Sequence, residues 1–144
     1  MLHRMVLVAR ARVELARGAL NGDLGILLSA HMKASVDREM TGGLVWAGGH
    51  FLDVLEADRE RLRDFFHHIA GDTRICELRS LEFLPITRRE YQTWSVADGG
   101  QALHDVAALD AVSTGRADAV QVRRLVSQCL RSATVATTPP LVAA

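Results

Sequence analysis

The chain opens with a short apolar run, Arg4 to Ala11 (RMVLVARA), whose β-branched residues and flanking arginines read as a buried strand. Arg12 to Gly22 is mildly helical in pattern and ends on Asn21-Gly22, a turn signal. From Asp23 the period changes. Leu24, Leu27, Leu28 and His31 or Met32 recur on one face, predicting a helix capped by Asp23 that runs through Met32 or slightly beyond. Two apolar runs, Leu44 to Trp46 and Phe51 to Leu55, then flank Gly48-Gly49, the pattern of a β-hairpin. Asp58 opens a second helix, Arg59 to Ala70, striped by Leu62, Phe65, Phe66 and Ile69. Cys76 to Leu84 alternates as a strand that Pro85 ends, and Thr93-Trp94-Ser95 adds a short edge strand.

The order β-α-β-β-α-β predicts an α+β fold: a ferredoxin-like antiparallel sheet with an added strand and two helices on one face. Beyond Asp98-Gly99-Gly100 two more helices are expected, Asp105 to Val112 and Asp118 to Arg131, linked at Ser113-Thr114-Gly115. Val122, Leu125, Val126, Cys129 and Leu130 make an apolar seam on the second, suited to covering the open face of the sheet. The organisation that follows is a domain over residues 1–98, a helical extension over 99–134 packed on the sheet, and a flexible tail over 135–144.

Composition narrows the function classes. With 49% hydrophobic and 24% charged residues the chain can build a packed core. Its 17 basic and 17 acidic residues cancel, so it lacks the electrostatic footprint of a nucleic-acid binder. No run approaches the roughly 20 apolar residues that span a bilayer, and Arg10 and Arg12 interrupt the N-terminal run too early for a signal peptide. A soluble cytoplasmic protein without membrane contact is expected. Cys76 and Cys129, with no CxxC spacing, read as buried or free thiols in a reducing compartment rather than as a disulfide or metal pair. Aromatics are sparse at 5%, and Tyr91 is the single tyrosine.

Candidate chemistry is thin. Asp53 and Glu56 stand three apart on a strand, so they point to opposite faces and cannot act as an acid/base pair. Asp53 reads either as a polar ligand group or as a solvated or arginine-paired carboxylate. His67 and His68 point about 100° apart on a helix, and with His31 and His50 they meet only if the tertiary fold brings them together, so no metal site is expected. Gly42-Gly43 and Gly48-Gly49 are turn chemistry rather than a phosphate loop, because no helix N-terminus follows them. No nucleophile triad is visible, and an acylphosphatase-like hydrolase would need an Arg/Asn constellation that is missing. The chain does not read as an enzyme.

Ordered motifs carry a resemblance. Thr41-Gly42-Gly43-Leu44 matches TGxL, Phe51 to Glu56 (FLDVLE) matches FLQVLEG, and Ile69 to Arg74 (IAGDTR) is similar to IxxDxRH. Pro85-Ile86, Arg89, Tyr91 and Trp94-Ser95 follow PIxxRxFxxWSM at the right spacing, and Arg4 to Ala11 is similar to RLIYVSRA. Together these resemble the BLUF family, bacterial blue-light sensors that use FAD. The resemblance implies a flavin pocket between the two sheet-packed helices. It implies a tyrosine on strand one beside a glutamine on strand three, where this chain has Leu7 and Asp53. The second residue of the family's Asn-Asn pair falls on Ser35, and the basic residue of helix two on His68; Lys33 and Asp72 keep family-like chemistry. Leucine offers no proton, and an ionised Asp53 would accept hydrogen bonds but not donate them.

The expectation is therefore a small regulatory protein on a BLUF-like fold, acting through protein–protein contact with the usual flavin photochemistry lost. Its partner would be an unidentified regulatory protein, with a homo-oligomer as a further option. No cofactor is expected, FAD being the cofactor if the family function is retained. A different small ligand between the two helices is the remaining option for that pocket.

Overall fold

The computed structural model describes residues 1–12, 22–47, 49–102, 110–112 and 114–141. Strands β1 (Leu2–Ala11), β2 (Thr41–Ala47), β3 (His50–Asp58), β4 (Ile75–Pro85), β5 (Trp94–Asp98) and β6 (Thr134–Thr137) form one sheet in the order β4-β1-β3-β2-β5-β6. The first four are antiparallel neighbours, as the β-α-β-β-α-β pattern requires.

The added strand differs from its expected place. β5 pairs parallel with β2 and is flanked on its other side by β6, so it lies inside the sheet rather than at its edge. β6 has no anticipation in the sequence pattern, which reads as tail from residue 135. Four mostly exposed residues carry no burial signal, and their pairing with β5 alone makes them a strand.

α1 (Gly22–Asp37) and α2 (Arg59–Ala70) cover one face of the sheet. Leu24, Leu27 and Leu28 of α1 and Leu62, Phe65 and Ile69 of α2 meet Met5, Leu7, Leu44 and Leu55 there. Asp58 starts α2 by accepting from the Glu60 amide at 3.3 Å, and also holds the N-terminal ammonium at 2.8 Å. On the opposite face α4 (Ala119–Ser132) lays Val122, Val126 and Cys129 on Val6, Val45, Val54 and Ala97. A 14-residue amphipathic helix is marginal alone, and this apolar seam, at about 1.5–3 kcal/mol per buried aliphatic side chain, holds it in place. Its start is set by a reciprocal cap between Asp118 and Gln121.

Residues 99–102 form a helical turn, α3 (Gly99–Ala102), and 110–112 are helical. Most of the helix expected at Asp105 to Val112, and the mildly helical stretch before Asn21, lie outside the described residues. Both cysteines are free thiols, Cys129 buried and Cys76 half-buried.

Two glycines of β2 allow close approach, Gly42 to the neighbouring strand β3 and Gly43 to α4. Gly42 has φ +129°, and a Cβ there would stand 1.8 Å from the Val54 carbonyl oxygen. A Cβ on Gly43 would stand 2.5 Å from the Leu130 side chain of α4, which can turn aside. Gly42→Ala is expected to lower unfolding free energy by about 3 kcal/mol or more, and Gly43→Ala by clearly less. Urea unfolding of the two variants checks that order.

Candidate functional site

β3 is buried along its whole length except at Asp58, and its side chains alternate between the two covered faces. Phe51, Leu55 and Ala57 join the α1/α2 core, whereas Leu52 and Val54 join the α4 core. Asp53 therefore faces α1 and α2. It is 4% exposed, and its Oδ1 has no hydrogen-bond partner. Leu7 lies directly opposite on β1, and His31 of α1, also 4% exposed, lines the same space with neither ring nitrogen partnered. His31 instead meets Phe65 edge-on, with ring centroids 5.8 Å apart.

The cavity that Leu7, His31, Asp53 and Ile69 enclose measures about 10 Å³, no more than one water molecule requires. Burial acts on both polar groups in it. It pushes the Asp53 carboxyl up to about 8 and, opposing the nearby Asp72, brings the His31 imidazole down to about 4. Both are neutral near pH 7. The expectation of a solvated or arginine-paired Asp53 thus fails, and so does the picture of an ionised acceptor. The reason is tertiary: three apolar surfaces close around a strand position whose sequence neighbours do not reveal it.

The other candidates are not brought into this cavity. Lys33 and His68 are exposed. Ser35 is fully buried, but its hydroxyl donates to the His31 carbonyl one turn back at 2.8 Å. Asp72 is held by the Arg74 guanidinium at 2.8 and 3.0 Å, which keeps its carboxyl below the usual range. No group of three or more His, Cys, Asp or Glu side chains is placed to hold a metal among the described residues.

Sequence reasoning missed the role of Glu56. It is fully buried on the α4 side of β3, where its carboxylate accepts from Thr41 Oγ1 (2.8 Å) and from the amides of Glu90 (2.7 Å) and Tyr91 (3.0 Å). Arg89 closes the cluster by donating to the Glu56 carbonyl at 2.7 Å. The segment so held reaches α4, through the Tyr91 hydroxyl on Ser127 (2.8 Å) and Glu90 on Arg123 (3.3 Å). The spacing of Arg89 and Tyr91 after Pro85 was the available signal, but only the fold shows which carboxylate they serve.

A family model for BLUF, sensors of blue light using FAD, matches residues 2–97. The chain belongs to the BLUF family. Its fold is similar to that of BlsA in its photo-activated state (TM-score 0.67, 15% identity, covering 94% of this chain and 99% of BlsA). It is similar to dark-state BlrB, a BLUF protein (TM-score 0.63, 18% identity, covering 88% of this chain and 95% of BlrB). A bacterial light-regulated adenylyl cyclase also shares the fold (TM-score 0.63, 17% identity, covering 90% of this chain), but this chain spans 40% of that protein's length. No curated protein matches the chain in sequence. BLUF domains are sensors that in some relatives are joined to cyclases.

As arranged here, the residues do not fit a flavin. A tricyclic ring cannot enter a space of about 10 Å³, Leu7 supplies no hydrogen bond, and Ser35 has spent its hydroxyl on its own helix.

The buried pair makes stability depend on pH. Asp53 binds its proton more tightly when folded, so its contribution falls as pH rises from about 4 to about 8. His31 binds its proton less tightly when folded, so its contribution rises with pH between about 4 and 6.5. The two slopes oppose each other up to about pH 6.5, and above it only the fall from Asp53 remains. Asp53→Asn removes that fall: relative to the parent, the variant should gain about 2 kcal/mol between pH 6.5 and 8. Urea midpoints measured across that window check it, and parallel curves for the two proteins would refute it.

Proposed function

We propose that this protein is a small regulatory module on a BLUF fold that acts by protein–protein contact, is not an enzyme, and has lost flavin photochemistry. The observation that carries this reading is the narrow space of about 10 Å³ between Leu7, Asp53 and His31, where the family resemblance puts its flavin-facing residues. A sensor without its chromophore keeps the scaffold, and the scaffold here ends in an α4 surface that a partner can read. Arg124 and Arg131 are exposed there, Arg123 is tied to Glu90, and Val120 is 53% exposed. Together with Tyr91 and Ser127 they border a shallow groove of about 260 Å³. Basic groups around an apolar spot suit an acidic surface on a regulatory protein. No helix among the described residues is long and apolar enough to cross a membrane.

A second reading, an FAD-binding blue-light receptor with an atypical site, has one observation in its favour. A protonated Asp53 carries a donor beside an acceptor, as an amide does, though with one donor hydrogen rather than two. The two readings separate by absorption. Purified protein incubated with FAD and desalted is expected to show no bound-flavin band and no light-induced red shift; a yellow preparation that shifts under blue light establishes the second reading. For the contact surface, a partner captured from the native cell should be lost with Arg124→Glu/Arg131→Glu. Undiminished capture by that variant moves the interface elsewhere.

A further inference from the structure

The space closed at the flavin position has a larger counterpart across the sheet. A cleft of about 380 Å³ lies between the ends of β1, β3 and β4 and Val112, Thr114 and Gly115, which precede α4. That volume is in the range of small-molecule sites. Strand pairing explains which groups enter it. Val8 stands opposite Arg79 on β4, and Arg10 stands between His50 on β3 and Cys76 on β4. Side chains paired this way share a face, and Val8 belongs to the α4-side core. Arg10, His50 and Arg79 therefore project together toward Val112 and Thr114.

The sheet is irregular at this point. Between the Val8–Arg79 and Arg10–Cys76 pairs, Glu77 and Leu78 oppose the single residue Ala9, a β-bulge. Glu77 takes φ +53°, a conformation uncommon for a residue with a side chain. Bulges re-aim side chains, and strained backbone collects at functional positions. The charges do not balance. Glu77 pairs with Arg10 at 3.3 Å, whereas the Arg79 guanidinium makes no ion pair or hydrogen bond with the described residues. Its guanidinium instead lies about 3.3 Å from where a Cβ on Gly115 would stand, at the wall of the cleft. Burial and the neighbouring Arg10 hold the His50 imidazole below its usual pKa, leaving it uncharged near pH 7. Two guanidiniums face one carboxylate, beside walls supplied by Val8, Ala9 and Val112.

We propose that this cleft binds a small organic anion, a carboxylate or phosphate monoester on a short apolar body, with Arg79 as its principal charge partner. A planar guanidinium with all its donors available matches either oxyanion in a bidentate fashion. The apolar body rests on Val8 and Val112. Such a ligand touches the sheet and the segment leading into α4 at once, so its binding bears on the surface assigned above to a partner. The site does not depend on the fate of the flavin.

Butyrate and phenyl phosphate serve as probes, titrated calorimetrically into the full chain at constant ionic strength against sodium chloride. A saturable heat with at least one probe is expected, weakened at least tenfold in Arg79→Gln and retained in Arg88→Gln, which alters an exposed arginine outside the cleft. The probe that binds assigns the head group, carboxylate or phosphate. Thr114→Phe, which fills the cleft and keeps every arginine, should abolish binding and carries the test if Arg79→Gln fails to fold by circular dichroism. The proposal is overturned if neither probe gives a saturable heat, or if a folded Arg79→Gln or Thr114→Phe binds as the parent does.

Discussion

Strand β3 is covered on both faces up to Ala57, so each of its two buried carboxylates must find donors or give up its charge. Asp53 and Glu56 take the two outcomes. Glu56 keeps a ring of donors from β2 and the segment at 89–91, and that ring ties the segment to the sheet. Asp53, three residues earlier and facing the other layer, finds apolar walls and an unpartnered histidine, and it stays protonated. One desolvated strand thus supports a rigid connection toward α4 on one side and a neutral polar pair on the other.

The sheet also separates two differently packed layers. In this chain the space between α1 and α2 is taken up by side chains of its own: Leu7 from below, His31 from above and Phe65 beside it. Packing in that space does not reach the α4 face, because the sheet lies between the two layers. The connection from Glu56 through Tyr91 to Ser127 lies wholly on the α4 side, as does the cleft around Arg79. Packing changes between α1 and α2 can therefore leave the α4 side and its own cleft intact.

Much of the fold was legible in the residues. The hairpin followed from Gly48-Gly49 between two apolar runs, α2 from Asp58 and its Leu62–Phe65–Ile69 stripe, and α4 from Asp118 and the Val122–Val126–Cys129 seam. These are local signals, in which period and cap lie within one turn or one strand of each other. β6 was not legible, because Thr134 to Thr137 becomes a strand through pairing with β5, some forty residues away in sequence. The interior position of β5 went unseen for the same reason.

What the sequence by itself determined is the order of most elements, the four-stranded antiparallel part of the sheet, and which side chains stand at the family's motif positions; periodicity, turn chemistry and motif spacing are written along the chain. The tertiary structure alone decided the state of those side chains. Whether Asp53 is ionised, whether Ser35 is available and whether Arg79 is paired depend on water exclusion and on partners distant in sequence. Desolvation is set by everything packed around a group, so the charge of a carboxylate on β3 is a property of the folded layers and not of its neighbours in the chain.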